Sequence, residues 1–284
     1  MLKVITAGLY ATVQDLGRFG YMNMGVPISG AMDHYSAKLA NLMLGNDEND
    51  ALIEITLGGG SFQFLKDTII CVGGADLNAT LNNESLLLNH SVKVLKNSIL
   101  KFGNPNYGSR TYIAVKGGFQ NKKVLGSRSF FKEVTQKYVL KRNDEILYDE
   151  IKANDHSLSA SVKIKEGHFK NTVIEAYEGP EYDMLGTEQK ILLAETNFSI
   201  SKENNRMGYR LEEIIVNRLS AILTSGVMPG TIQLTPSGKM IILMRDCQVT
   251  GGYPRILQLT DDAIDKLAQK STGDSFKLKI IPLE

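Results

Sequence analysis

Two guanidiniums flank one glycine in the stretch Asn205-Arg206-Met207-Gly208-Tyr209-Arg210. Forked donors of this kind grip a carboxylate or phosphoryl group through parallel bonds, and a glycine between them lets backbone approach the anion. The competing reading is ion pairing with Glu203, Glu212 or Glu213, which contributes little at an exposed surface. Further along, Asp246, Gln248 and Thr250 alternate after the apolar run 240–244. In extended chain a period of two sets them on one face, opposite Cys247 and Val249, where they either meet a ligand or form the solvent-facing side of a strand. Arg206, Arg210 and Asp246 are therefore the candidate catalytic residues, the carboxylate as proton acceptor or polar orienter. Gln233, Gln248 and Thr250 are candidate hydrogen-bonding positioners, and Gly251, Gly252 and Tyr253 complete the lip by permitting close approach of a ligand or a neighbouring strand.

Two further constellations lie near the N-terminus. TVQDLGR (12–18) brings the Gln14 amide, the Asp15 carboxylate and the Arg18 guanidinium into one turn, where they either present donors and an acceptor to a substrate or close an Asx turn on their own backbone. GVPISGAMD (25–33) leads into a helix whose first N–H groups favour an anion, unless Ser29 and Asp33 satisfy those donors themselves. Gln14, Asp15, Ser29 and Asp33 join the substrate-binding candidates. Glu54, in LIEITL, alternates with Ile53 and Ile55, and the simplest reading places it on a wet strand face.

The elements that must hold these residues are mostly strands. Short β-branched and aromatic runs closed by Gly, Asn or Asp recur at 51–57, 68–72, 91–95, 112–115, 173–176, 214–216, 240–244, 255–259 and 276–281, a spacing that predicts sandwiches or barrels. Helices are expected over 31–44, with Ser29 as cap, a stripe of Met32, Tyr35, Leu39, Leu42 and Met43 and Gly45 as stop, over 262–269, and around 188–194. The polar, Ser-rich and charged stretch 151–172 marks a seam between domains at 1–155 and 156–284, each of ordinary size.

Composition narrows the function further. Lys plus Arg at 32 against Asp plus Glu at 31 gives a net charge of +1, so no overall field draws nucleic acid or an anionic membrane. Cys71 and Cys247 stand alone, as expected of buried thiols in a reducing cytoplasm. The N-terminus does not read as a signal peptide, and no apolar run nears the ~20 residues of a membrane span. Neither a P-loop nor a dinucleotide fingerprint is visible. His34, His90, His156 and His168 lack metal-ligand spacing. Lys239 lacks the preceding methionine of a biotin-attachment turn, so no covalently bound biotin is expected. A small-molecule substrate is expected to be positioned and polarised.

Seven motifs in register carry a resemblance: TVQDLGRFGY (12–21), GVPISGAMD (25–33), LIEITLGG (52–59), GADL (74–77), LGSRS (125–129), NRMGYRL (205–211) and VTGGYPRI (249–256). Together they resemble the C-subunit of bacterial 5-oxoprolinase, the KipA-type proteins of the biotin-dependent carboxyltransferase-like group. The resemblance implies a mainly β fold of two tandem cyclophilin-like β-barrels with a few short helices. It also implies KipI-like and LamB/YcsF-like proteins as partners, the B- and A-subunits of a complex that uses ATP with magnesium to open 5-oxo-L-proline to L-glutamate. Two other activities fit the same family: a KipA-like regulator that binds a KipI-like kinase inhibitor, and one part of a biotin-dependent carboxyltransferase. The chain departs from the family pattern at Val249, where Thr is usual, at Arg255, where Lys is common, at Phe130, and at Lys239-Met240, where Gln-Pro is typical.

Overall fold

The computed structural model describes residues 1–151 and 167–282. The chain divides into two compact units, Met1–Phe19 with Ser29–Lys165, and Gly20–Ile28 with Glu166–Glu284. The expected seam after residue 155 lies outside the described residues. Grouping of Gly20–Ile28 with the second unit was not anticipated, because the motif reading kept that segment with the helix that follows it.

The fold is mainly β. In the first unit a six-stranded sheet runs Glu145–Ile146, Leu2–Ala7, Gly60–Phe64, Ile99–Lys101, Thr80–Leu81, Glu84–Ser85, and a five-stranded sheet runs Tyr10–Gln14, Leu52–Thr56, Tyr107–Val115, Thr68–Asp76, Ser91–Val94. Leu2, Val4, Phe62 and Phe64 of the first sheet share a core with Val13, Ile53, Ile55, Ile70, Val72 and Ile113 of the second. The opposite face of the five-stranded sheet is also buried. Leu52, Ile69, Cys71, Tyr112 and Ala114 pack there against Ala37, Ala40, Met43 and Leu44. A sheet covered on both faces reads as near-continuous apolar sequence, which is why LIEITL and TIICVGGA show weak alternation.

The helix His34–Leu42 supplies that cover, and it does so with small residues. Its buried positions are Ser36, Ala37, Ala40 and Asn41, while Tyr35 and Leu42 of the expected apolar stripe are exposed. The reason is distance: a Cβ on Gly73 of the sheet would lie 3.3 Å from the Ala40 Cβ, so the two elements approach too closely for large side chains between them. The cap is Asp33, which accepts from Ser36 N at 2.9 Å, and not Ser29 as expected.

In the second unit a barrel closes in the order Val173–Glu178, Arg255–Leu259, Thr231–Leu234, Lys239–Leu243, Gly208–Ile214, Asn197–Asn204, Ser275–Ile281. Its pairings are antiparallel except for the closing one, where Ser275–Ile281 runs parallel to Val173–Glu178. Ile174, Phe198, Tyr209, Leu211, Ile232, Leu234, Met240, Ile242 and Phe276 are fully buried on these strands. The helix Asp261–Ala268 starts on Thr260, whose hydroxyl accepts from Ala263 N at 3.1 Å, with Asp261 and Asp262 in the first turn, an arrangement favoured by the helix dipole. A further helix covers Thr187–Glu195. Among the described residues no helix is long and apolar enough to cross a membrane.

Candidate functional site

The sequence-selected polar residues separate into two environments. Those of the first unit are buried, and Asp15 and Asp33 are engaged by the fold itself. Asp15 accepts from Gly17 N at 2.8 Å, closing the Asx turn, and then gathers the LGSRS loop: Ser127 Oγ at 2.7 Å, Arg128 N at 2.6 Å and Ser129 Oγ at 2.6 Å. Arg18 donates to the Ser129 carbonyl. Gln14 donates to Thr12 Oγ1 and the Phe130 carbonyl, with no partner for its Oε1 among the described residues. Ser29 is fully buried in the left-handed region at φ 58°, its hydroxyl likewise without a partner among the described residues. Asp33 is occupied by Ser36, whose hydroxyl donates to it at 2.6 Å.

Glu54 is not on a wet face. It is 1% exposed because the helix layer covers the side of the strand that alternation left open. Its carboxylate accepts from Met32 N at 2.7 Å and from Tyr112 Oη at 3.0 Å, with Arg110 Nε 3.9 Å away. Burial and then the Glu54 charge push the Tyr112 hydroxyl well above its ordinary pKa, so it stays a donor.

The expected Asp246-Gln248-Thr250 face does not form. A tight turn, Cys247 N to the Met244 carbonyl at 3.0 Å, interrupts the extended chain that a period of two requires. Asp246 is buried, whereas Gln248 and Thr250 are exposed. Asp246 and Arg206 instead find each other: Nε to Oδ2 at 2.7 Å and Nη2 to Oδ1 at 3.0 Å, both side chains buried. Beside them Arg245 pairs with Asp265 of the helix Asp261–Ala268 at 2.9 Å. These two adjacent pairs fasten the start of the loop that leads to residues 248–253. Of the three expected catalytic groups, only Arg210 reaches an open surface, where its Nη1 pairs with Glu203 at 2.9 Å.

An open cleft of about 580 Å³ lies on the outer face of the barrel wall. Its floor is a cross-strand row. Tyr209, Ile242 and Ile232 point into the barrel, so their neighbours Arg210, Ile241 and Gln233 point out. Ile241 is the register partner of both Arg210 and Gln233. Leu243 and Gly208 extend the row, Gln248, Gly251, Gly252 and Tyr253 form one wall, and Lys202, Glu203, Asn204, Asn205 and Met207 complete the lining. Six of the sequence candidates therefore meet here: Arg210, Gln233, Gln248, Gly251, Gly252 and Tyr253. Thr250, Arg206 and Asp246 are not in its lining. The apolar floor and the Lys202–Asn205 rim were missed, although strict alternation of Lys239, Ile241 and Leu243 with inward Met240 and Ile242 carried the signal.

Gly251 brings the backbone of this wall close to the end of the Gln233 side chain. A Cβ on Gly251 would fall 2.5 Å from Gln233 Nε2. The wall is held by Arg255, which grips Glu181 through Nε at 3.0 Å and Nη2 at 2.8 Å and reaches the Gly226 carbonyl at 3.0 Å. Gly226 pairs with Thr250 in the short ribbon that precedes Tyr253. The Arg255 bonds hold the Glu181 carboxyl below its ordinary pKa. A lysine lacks the fork for this three-way contact, so the departure at Arg255 tightens the wall. Val249, by contrast, contributes its carbonyl to Val227 N and does not line the cleft. Both thiols are free and buried, and burial pushes Cys71 and Cys247 up to about 12.

Comparison with known proteins gives the chain its relatives. The chain is 33% identical over 279 residues to the 5-oxoprolinase C-subunit of Escherichia coli, covering 96% of this chain and 89% of that protein. It is 31% identical to the 5-oxoprolinase C-subunit of Haemophilus influenzae, covering all of this chain and 92% of the relative. The crystal structure of the K. lactis urea amidolyase superposes with a TM-score of 0.87 at 26% identity over all of this chain, which spans only 19% of that larger one. Residues 24–280 match the family described as carboxyltransferase domain, subdomain A and B, and the chain belongs to that family.

Proposed function

We propose that this chain is one component of an ATP-dependent 5-oxoprolinase complex that opens 5-oxo-L-proline to L-glutamate, and that the outer cleft of the barrel receives the lactam. The observation that carries this reading is the floor row, which sets a guanidinium and a carboxamide on either side of Ile241. The ligand this fits is small, flat and partly apolar, with a carboxylate at one end and an amide at the other. Arg210 takes the carboxylate by charge-assisted bonds. Gln233 and Gln248 orient the amide, and an N–H donor aimed at its oxygen stabilises negative charge that develops there. Ile241 and Leu243 pack against the ring methylenes. Arg206 and Asp246 act as positioning residues for the loop above.

A lactam is resonance-stabilised, and ATP supplies the activation that its hydrolysis needs. Among the described residues no group of three or more His, Cys, Asp or Glu is placed to hold a metal ion. In this reading magnesium and most of the nucleotide are held by the KipI-like and LamB/YcsF-like partners, in the cytoplasm. The chain itself carries no biotin. The test is to mix the three chains with ATP and 5-oxoproline and follow glutamate. Release of glutamate only when all three are present supports the proposal, and a stable complex that makes none rejects it in favour of a regulatory, KipA-like role.

The likeness to urea amidolyase favours a second reading, in which the cleft accepts a carboxylated carrier delivered by another chain. Carboxyl transfer from a biotinylated partner, without glutamate formation, would select that reading.

A further inference from the structure

The cleft continues past Arg210 into a second chamber that the lactam reading leaves without a ligand. This chamber, of about 330 Å³, is lined by Arg210, Ile241 and Tyr253, which it shares with the first, and by Thr235, Pro236, Ser237 and Lys239. Its lining has a consistent character. Lys239 lies on the outward face of its strand, two residues before Ile241, so its ammonium and the Arg210 guanidinium stand on the same side of the sheet. Lys239 has no carboxylate partner among the described residues, unlike the lysines at 66, 137, 190, 266 and 279. The ion pair of Arg210 engages its Nη1, one corner of a five-donor fork.

The turn joining the two strands supplies hydroxyls. Thr235 Oγ1 donates to the Lys239 carbonyl at 2.8 Å, and Ser237 Oγ sits 3.0 Å from Thr235 Oγ1. With the threonine proton committed to that carbonyl, Ser237 is the donor in the 3.0 Å contact with Thr235 Oγ1, and its proton would leave that bond to meet an incoming oxygen. Gly238, at φ 83°, closes the turn, and a Cβ there would meet the Ile215 carbonyl at 2.6 Å, so the backbone that presents Ser237 and Lys239 has a fixed shape.

Two cations and a hydroxyl converging on a small chamber, with no carboxylate in its lining, match an oxyanion carrying more than one negative charge. We propose that this second chamber is a phosphoryl-binding subsite, in which Lys239, Arg210 and Ser237 hold the phosphoryl group used by, or released from, the reaction in the adjoining chamber. The role within a reaction rests on the lactam reading, while the binding chemistry stands on the chamber alone. Arg210 then has one function on each side of the divide, and Tyr253 walls both.

The experiment is a titration of the full-length chain with inorganic phosphate, followed by backbone amide shifts and by calorimetry. Saturable binding with shifts centred on 235–241 is expected. Lys239→Gln is expected to weaken it at least fivefold, Lys239→Arg to retain it, and Lys93→Gln, an exposed position of the first unit, to leave it unchanged. Circular dichroism and an unchanged urea midpoint confirm that each variant folds. Bicarbonate and acetate serve as competing arms. Phosphate binding at least fivefold tighter than either identifies a phosphoryl site, and equal binding of all three overturns that identification.

Absence of saturable binding, or binding indifferent to Lys239→Gln, overturns the proposal whether or not the assembled complex makes glutamate. Phosphate binding that depends on Lys239 in a chain whose complex makes no glutamate would reject the lactam reading and keep the subsite.

Discussion

The polar knot around Asp15 in the first unit and the cleft around Arg210 in the second are built from similar residues with opposite outcomes. Asp15 receives four donors from two segments far apart in sequence and is buried. Arg210 sits in a cross-strand row, carries one exposed ion pair and faces open space. A short polar motif shows that side chains have been placed with care, but only the register and the covering layers decide whether the fold consumes them or presents them. Asp15 and Glu54 secure a structure; Arg210 and Tyr253 are exposed to a ligand, with the buried Gln233 beneath them in the cleft lining.

The sharpest way to break this contrast is to remove each anchor and ask what fails. Asp15→Ala deletes a buried carboxylate with several charge-assisted bonds, each contributing about 1.5 to 3 kcal/mol, and strands the donors of the LGSRS loop. A loss of at least ~3 kcal/mol in urea unfolding is expected. If the unfolding midpoint barely moves while phosphate or substrate binding is lost, Asp15 belongs with the functional residues and the contrast is wrong.

The buried pair of Arg206 and Asp246 sharpens the same comparison inside the second unit. Asp246→Ala leaves the guanidinium buried without its carboxylate and is expected to cost about 3 to 5 kcal/mol. Replacing both partners by apolar residues, Arg206→Met with Asp246→Leu, should recover much of that stability. Recovered turnover in the double variant would show that the pair positions the loop. A stable double variant with no turnover would return one of the two residues to the chemistry.

Arg210→Ala reverses the pattern. Its exposed pair with Glu203 contributes little, so the unfolding free energy should shift by no more than ~0.5 kcal/mol. Glutamate formation by the assembled complex should fall more than tenfold, as loss of a charge-assisted contact of about 1.5 to 3 kcal/mol requires. Unchanged kinetics would remove Arg210 from the site.

Much of this was legible in the sequence. The strand-rich pattern, the helix expected over 262–269 and found at Asp261–Ala268, and six residues of the cleft lining were within reach of alternation and motif reading. What failed did so for tertiary reasons. Glu54 looked wet because a period of two assigns faces without knowing that a helix covers one of them. The large residues of the first helix were chosen for the core, yet close approach to Gly73 selected Ala37 and Ala40. The Asp246-Gln248-Thr250 face assumed extended backbone through a stretch that turns at Met244–Cys247, and no local signal there outweighed the buried pairing of Asp246 with Arg206, forty positions distant.

The smallest expected effect concerns the wall of the cleft and is read through pH. Three bonds from Arg255 hold the Glu181 carboxyl below its ordinary value. A group whose folded pKa is depressed stabilises the fold fully above its unfolded pKa, about 4.3 for glutamate, and loses that contribution as pH falls through the folded value. Comparing urea midpoints of the unaltered chain and Glu181→Gln from pH 7 to pH 3 should show a gap of about 1 kcal/mol that is constant down to roughly pH 4.3 and closes below it. If the gap is independent of pH, the carboxylate charge contributes nothing and Arg255 holds the wall through Gly226 alone. If it closes as expected, the fork between Arg255 and Glu181 is an electrostatic brace in the second unit, and the contrast between consumed and presented charges holds within a single wall of the cleft as well as between the two units.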